Sequence, residues 1–299
     1  MKDCDNILVV IQNDEEAKAV LRKVKILATM ENSRVKTQVH VVRVAWEGLA
    51  DHDVKDVDAS TELKNFILQA EAQALKDAIA TSGVAIDGIE STTLWGRKQW
   101  EIILHAAETV NADLIVKAEA RADKLRFVRT PSDWNLLRHS RIPVLLCDAT
   151  EWSVVPKLVA AVDTFDPEHE KLNSRILQTA DQLAAGLHGR LDVVTAFPSL
   201  DPWTPNMNTF GNYQKMMEEV EQDAVRRLHA LQDKENLGKH RSRALEGSVE
   251  AVIKRVTNEE STDLLILGTT GRAGIEGVLI GNTAEQILHE TTTDVLTVS

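Results

Sequence analysis

The chain has 299 residues, 43% hydrophobic and 27% charged, with a formal charge of −12; this length exceeds what one hydrophobic core usually serves, so two folded domains are expected. Acidity without any run of Lys or Arg argues against a sequence-independent nucleic-acid binder, so an anionic ligand has to be held by local groups. No apolar stretch approaches the roughly 18 residues of a membrane span, and the opening MKDCDNILVVIQ is too short and acidic for a signal peptide. Cys4 and Cys147 fit neither a disulfide framework nor a CxxC knuckle, so a cytoplasmic protein with reduced thiols is expected.

In chain order, ILVVI (7–11) reads as a buried strand, 15–30 as an amphipathic helix and TQVHVVRV (37–44) as a second strand. A long helix at about 60–80 follows, then GIESTTLW (88–95), the helix QWEIILHAAETV (99–110), the strand DLIVKA (113–118), a helix near 131–139 and PVLLC (143–147). DATEWSVVPK (148–157) reads as a linker between domains 1–149 and 150–299. The order then repeats: LVAAV (158–162), a helix at 173–187, LDVVTAF (191–197), a helix at 213–231, HRSRAL (240–245), a helix at 249–259, DLLILG (263–268), a helix from 282 and DVLTV (294–298).

The repetition extends to residues. ADLIVKAEARADKLRFVRTPSDWNLLRHS (112–140) lies over TDLLILGTTGRAGIEGVLIGNTAEQILHE (262–290) without a gap, and Gln12 falls opposite Asp163. Five strands interleaved with four helices imply a parallel sheet covered on both faces, so the fold class is α/β, doubly wound, twice in tandem. Such sheets bind ligands beyond the carboxyl ends of the strands, at the point where strand order reverses.

A loop of unusual composition occupies that place in the second half, with five glycines among positions 268–281. Gly268 and Gly271 let the backbone turn so that its N–H groups converge on an anion, and Gly281 admits a ligand to the start of the next helix. Asn282 and Thr283 add side-chain donors, and Arg272 adds a cation. Two other readings stay open here: Asn282 to Glu285 also matches a capping box, and glycines at 268, 271, 274 and 277 also suit a mobile surface loop. The absence of GK[ST] excludes a Walker P-loop.

The pattern G-x2-G-x9-G followed by Asn282, placed after a strand in a repeated five-strand chain, resembles the universal stress protein family, and GTTGR with GNTAEQI is most similar to its tandem, E-type members. The likeness covers nearly the whole chain. It implies the adenine-nucleotide α-hydrolase-like fold, ATP with Mg²⁺ as ligands, Ala161, Val162 and Asp163 beside the nucleotide with Asp163 on the metal, and Ala196 where the second strand's backbone meets adenine. It also implies phosphate contacts at Gly268, Gly271, Arg272, Gly281, Asn282 and Thr283. Asn282 departs from the family's usual Ser. The final strands PVLLC and DVLTV are expected to pair as an internal pseudo-dimer, with a homodimer of chains as a further option.

In the first half Ala118, Arg121 and Pro131 stand where Gly268, Gly271 and Gly281 stand in the second, so the same turn would be strained there. Pro131 still suits a first helical position, with Thr130 as its cap. Arg121, Lys124, Arg126 and Arg129 make that loop basic, and the five tryptophans 46, 95, 100, 134 and 152 are expected in a core or domain interface. Residues 198–217, with Trp203, Met207, Phe210, Met216 and Met217, are a candidate apolar pocket lining, whereas the acid-rich 51–60 lacks EF-hand spacing. The expectation is a nucleotide-dependent regulatory factor of the stress response; a carrier of an apolar or anionic ligand and a slow ATPase are the alternatives.

Overall fold

The structure, a computed structural model, describes residues 4–30, 36–48, 57–118, 121–123, 126–127, 130–198, 213–259, 261–269 and 281–299. It divides into two compact units, Lys2–Trp152 and Ser153–Ser299 with Met1.

The first unit runs β1 (Asn6–Val10), α1 (Asp14–Ala28), β2 (Gln38–Ala45), α2 (Val57–Thr81), β3 (Ile89–Trp95), α3 (Gln99–Thr109), β4 (Leu114–Ala118), a small hairpin β5 (Arg121–Asp123) and β6 (Arg126–Phe127), α4 (Pro131–His139) and β7 (Val144–Cys147). Its five long strands are parallel in the order β7-β4-β1-β2-β3. Asp14, Glu15 and Glu16 open α1 where the helix dipole favours negative charge, and Ala17, Val20, Leu21, Val24 and Leu27 form its buried stripe. The β5–β6 hairpin carries no hydrophobic alternation and was not expected from the sequence.

The second unit repeats the plan with β8 (Lys157–Ala161), α5 (Glu170–Gly186), β9 (Arg190–Phe197), α6 (Tyr213–Lys234), β10 (Arg241–Glu246), α7 (Val249–Glu259), β11 (Leu264–Gly268), α8 (Asn282–Glu290) and β12 (Asp294–Val298), and its parallel strand order is β10-β9-β8-β11-β12. One residue fixes the first strand in each copy. The Asp113 carboxylate accepts the N–H groups of Asp5 (3.0 Å) and Asn6 (2.9 Å). Asp263, its match, accepts those of Ser153 and Lys157, both at 2.8 Å. In each unit order reverses beside the first strand, between β1 and β4 and between β8 and β11, which opens a crevice at the carboxyl edge. No helix among the described residues is long and apolar enough to cross a membrane.

Candidate functional site

Three adjacent strands of the second unit end together at this edge. Ala161 pairs with Val194, which puts Asp163 level with Ala196, and Ala160 pairs with Ile266, which puts Gly268 level with Val162. Ala161, Val162, Asp163, Ala196 and Gly268 therefore share one edge. The Val162 N–H donates to Val194 O at 3.0 Å, so Ala196, two residues on, turns its own N–H to the same side, past the end of β8. No side chain among the described residues accepts from it.

Gly268 has a different reason to be glycine from the expected turn. It is the last residue of β11, and a Cβ there would lie 2.4 Å from Cδ2 of Leu172 on α5. The strand and α5 pack too closely for a side chain. Gly281 is the N-cap of α8 with φ −58° and ψ 143°, and its N–H donates to Thr269 O at 3.3 Å, which ties the start of α8 to the end of β11. Asn282 is thus the first helical residue rather than the cap, and the capping box that was the alternative reading there does not form around it. Asn282 and Thr283 lie exposed in the first turn, whose N–H groups have no partner within the helix. Gly271 and Arg272, with Gly274 and Gly277, lie outside the described residues.

Asp163 organises the loop that follows β8. Its Oδ1 accepts the N–H groups of Phe165 (3.0 Å) and Asp166 (3.3 Å), and its Oδ2 lies 2.9 Å from His169 Nδ1. Asn173, 4% exposed on α5, clamps the same residue from below: it accepts the Asp163 N–H at 3.1 Å and donates to the Asp163 carbonyl at 2.6 Å. Neither Asn173 nor His169 was singled out in the sequence, because a single Asn or His in a helical stretch carries no periodic signal. Ligand atoms of Asp163, Asp166 and His169 lie within 4.8 Å of one another. Beside them is a cavity of about 320 Å³ lined by Asp166, Glu170, Asn173, Arg227, Leu231 and Lys234. Lys234 meets Glu170 at 2.5 Å, and that hydrogen bond holds the Glu170 carboxyl below its usual range and raises the Lys234 ammonium.

The first unit fills the corresponding places with its own side chains. Gln12 Oε1 accepts the N–H of Val44, the register counterpart of Ala196, at 3.2 Å. Arg43, 3% exposed, donates to Ile11 O (3.1 Å), Asp14 (2.6 Å) and Glu71 (3.2 Å) between α1 and α2. At the start of α4 the anticipated cap is present: Thr130 Oγ1 accepts the Asp133 N–H, and Asp133 Oδ2 accepts the Thr130 N–H at 2.7 Å. The other oxygen of Asp133, a residue that is 0% exposed, lies 2.7 Å from the ammonium of Lys117, itself 7% exposed at the end of β4.

Two copies of one sheet, each with its crevice at the same edge, match a known repeat. The pattern of the universal stress protein family fits residues 4–148 and again 156–299. The chain belongs to the universal stress protein family. Among its relatives in that family, the universal stress protein E homolog of Haemophilus influenzae is 27% identical over 97% of this chain and 96% of its own length. Universal stress protein E of Escherichia coli K12 is 26% identical over 98% and 93%. A protein of unknown function from Pseudomonas aeruginosa PAO1 has a similar fold, with a TM-score of 0.70, 24% identity and coverage of 99% of this chain and 93% of that one. A universal stress protein from Archaeoglobus fulgidus gives 0.60 at 16% identity, covering 99% and 98%.

The remaining candidates divide. Residues 199–212 and 51–56, like Lys124 and Arg129, lie outside the described residues. Trp46 is 40% exposed at the end of β2, with Arg97 over its ring at 5.6 Å, so this tryptophan is no core residue. Trp100 stacks on His139 with ring centroids 4.3 Å apart, joining α3 to α4.

Proposed function

We propose that this universal stress protein binds one ATP, together with Mg²⁺, in its second unit and acts in the cytoplasm as a nucleotide-dependent regulatory factor of the stress response. The observation that carries the reading is the difference between the two crevices: among the described residues, none gives the Ala196 amide or the first turn of α8 the side-chain caps that Gln12 and Asp133 provide for their counterparts. In this reading the Ala196 N–H is the donor to adenine, and Gly281, Asn282 and Thr283 at the α8 terminus receive phosphate along with Gly268, Gly271 and Arg272. Val162 and Asp163 form the opposite wall.

Asp163 suits a Mg²⁺ ion with limits. Its Oδ1 is taken by two backbone N–H groups, but Oδ2 has one hydrogen-bond neighbour, and Asp166 brings a second carboxylate within reach. One or two protein carboxylates with the phosphates supplying the rest is a usual arrangement for this cation, which would neutralise phosphate charge. Asn173 keeps the Asp163 backbone in place whether or not a ligand is bound.

Titration calorimetry with ATP tests the proposal. The expected result is one site per chain, abolished in Gly281→Val while the far-UV spectrum is unchanged, since φ −58° and ψ 143° suit valine. Two sites, or no binding by the wild type, would overturn it.

A further inference from the structure

We infer that the first unit is a self-liganded copy, in which Gln12 and Asp133 take the places of base and phosphate and Lys117, at the position of Leu267 rather than of Asp163, does the work of a counter-cation; the naming of those parts rests on the nucleotide reading of the second unit. The chemistry matches group for group. An adenine ring nitrogen would accept from the second-strand amide, and in the first unit the carboxamide oxygen of Gln12 accepts from that amide, on Val44, at 3.2 Å. A phosphate oxygen would accept at the start of the last helix, and there the Asp133 carboxylate accepts from the Thr130 N–H (2.7 Å) and Thr130 Oγ1 (2.8 Å). A cation would offset the phosphate charge, and the Lys117 ammonium lies 2.7 Å from the second Asp133 oxygen and donates to Ala118 O at 3.2 Å.

Burial separates this arrangement from an ordinary capping box. A helix cap at a surface needs no counter-ion, because water screens it. Here the carboxylate is wholly covered and the ammonium nearly so, and Pro131 at the first helical position removes one donor that a phosphate would use. The pair is therefore an internal salt holding the crevice in a filled state at all times. The acceptor and the charges that a ligand would bring to the second unit belong to the first unit's own side chains, which leaves that unit a constant scaffold with no response to nucleotide.

Chemical rescue in the full chain tests this. Asp133→Ala removes the surrogate anion but leaves Lys117, and a fall in Tm of roughly 6–20 °C is expected for a buried charge left alone. Sodium acetate or inorganic phosphate, compared with chloride at equal ionic strength, should then restore hydrogen-exchange protection to the α4 amides of Trp134 to Leu137. Lys117→Leu combined with Asp133→Ala, which has no cation to hold the anion, should show no restoration. If Asp133→Ala does not fold, Asp133→Ser, which also leaves room for the anion, is read the same way. No rescue in the cation-retaining variants, or equal rescue in the double variant, overturns the inference. Because the readout is α4 protection without ATP, failure here is distinct from failure of the ATP titration, which reports on the second unit alone.

Discussion

The two units share a sheet, a strand order and even the aspartate that pins the first strand, yet they treat the same edge oppositely. In the first, Gln12 and Arg43 turn inward onto the backbone of Val44 and Ile11, and Lys117 and Asp133 form a covered ion pair. In the second, the matching positions carry Asp163, Thr195, Leu267 and Thr283, and the loop after β8 is longer, with a short 3-10 turn at Pro167–His169. The lesson is that two copies of one sheet edge come to differ through gain of internal polar partners as much as through loss of glycine. A backbone N–H that has found a side chain has no further use for a ligand, whereas one that has not must be met by water or solute.

Several substitutions would break or sharpen the contrast. The largest effect is expected from Lys117→Ala, which leaves Asp133 charged and covered; a loss of about 3–5 kcal/mol in the first unit should appear in urea unfolding. Exchanging both partners for the second unit's residues, Lys117→Leu with Asp133→Thr, should cost clearly less than the single change. Next, Gly268→Ala should cost about 1–3 kcal/mol, because the new Cβ meets Leu172, and Leu172→Ala in the same chain should recover part of it. Its first-unit mirror Ala118→Gly should cost only about 0.5–1 kcal/mol. Asn173→Ala should lower stability by about 1–3 kcal/mol through the Asp163 amide and carbonyl it leaves unpaired, and should weaken ATP binding if the nucleotide reading holds.

Smaller effects separate the two helix starts. Thr130→Ala removes a side-chain cap and should cost about 0.5–2 kcal/mol, whereas Asn282→Ala, at a first helical position, should stay within about 0.5 kcal/mol. Equal losses at both would return Asn282 to the role of cap. The smallest is electrostatic. Glu170 has its carboxyl lowered by the hydrogen bond and charge of Lys234, so the pair's contribution is present above the unfolded carboxylate pKa and is lost as pH falls through the folded value. Lys234→Met should raise the Glu170 titration midpoint toward 4.5, followed by carboxyl NMR.

Much of this was legible in the linear text. Each long strand and helix occupies the stretch where its periodicity was read, because burial on both faces of a parallel strand demands continuous apolar runs and burial on one face of a helix demands the i, i+3, i+4 stripe. Thr130 with Pro131 was readable as a helix start because cap chemistry is local. The start of the last helix at 282 was legible too, but the capping-box alternative at Asn282 is not met, because Gly281 is the cap residue and its N–H goes to Thr269 O. The exposure of Trp46 was not readable, since a large aromatic just past a strand end packs inward or outward according to contacts made elsewhere in the fold.

The sequence by itself determined the two-fold repeat, the doubly wound class, the family and the half in which the glycines lie, since these follow from the order and periodicity of residue types along the chain. Only the tertiary structure decided that Gln12 closes the Val44 amide, that Lys117 and Asp133 neutralise each other out of reach of water, that Asn173 holds Asp163, and that Gly268 is small for the sake of Leu172. The reason is one of range. Periodicity and caps are set by neighbours a few positions apart, whereas each of these contacts joins different elements of the fold, and nothing in the text at one residue names its partner at the other.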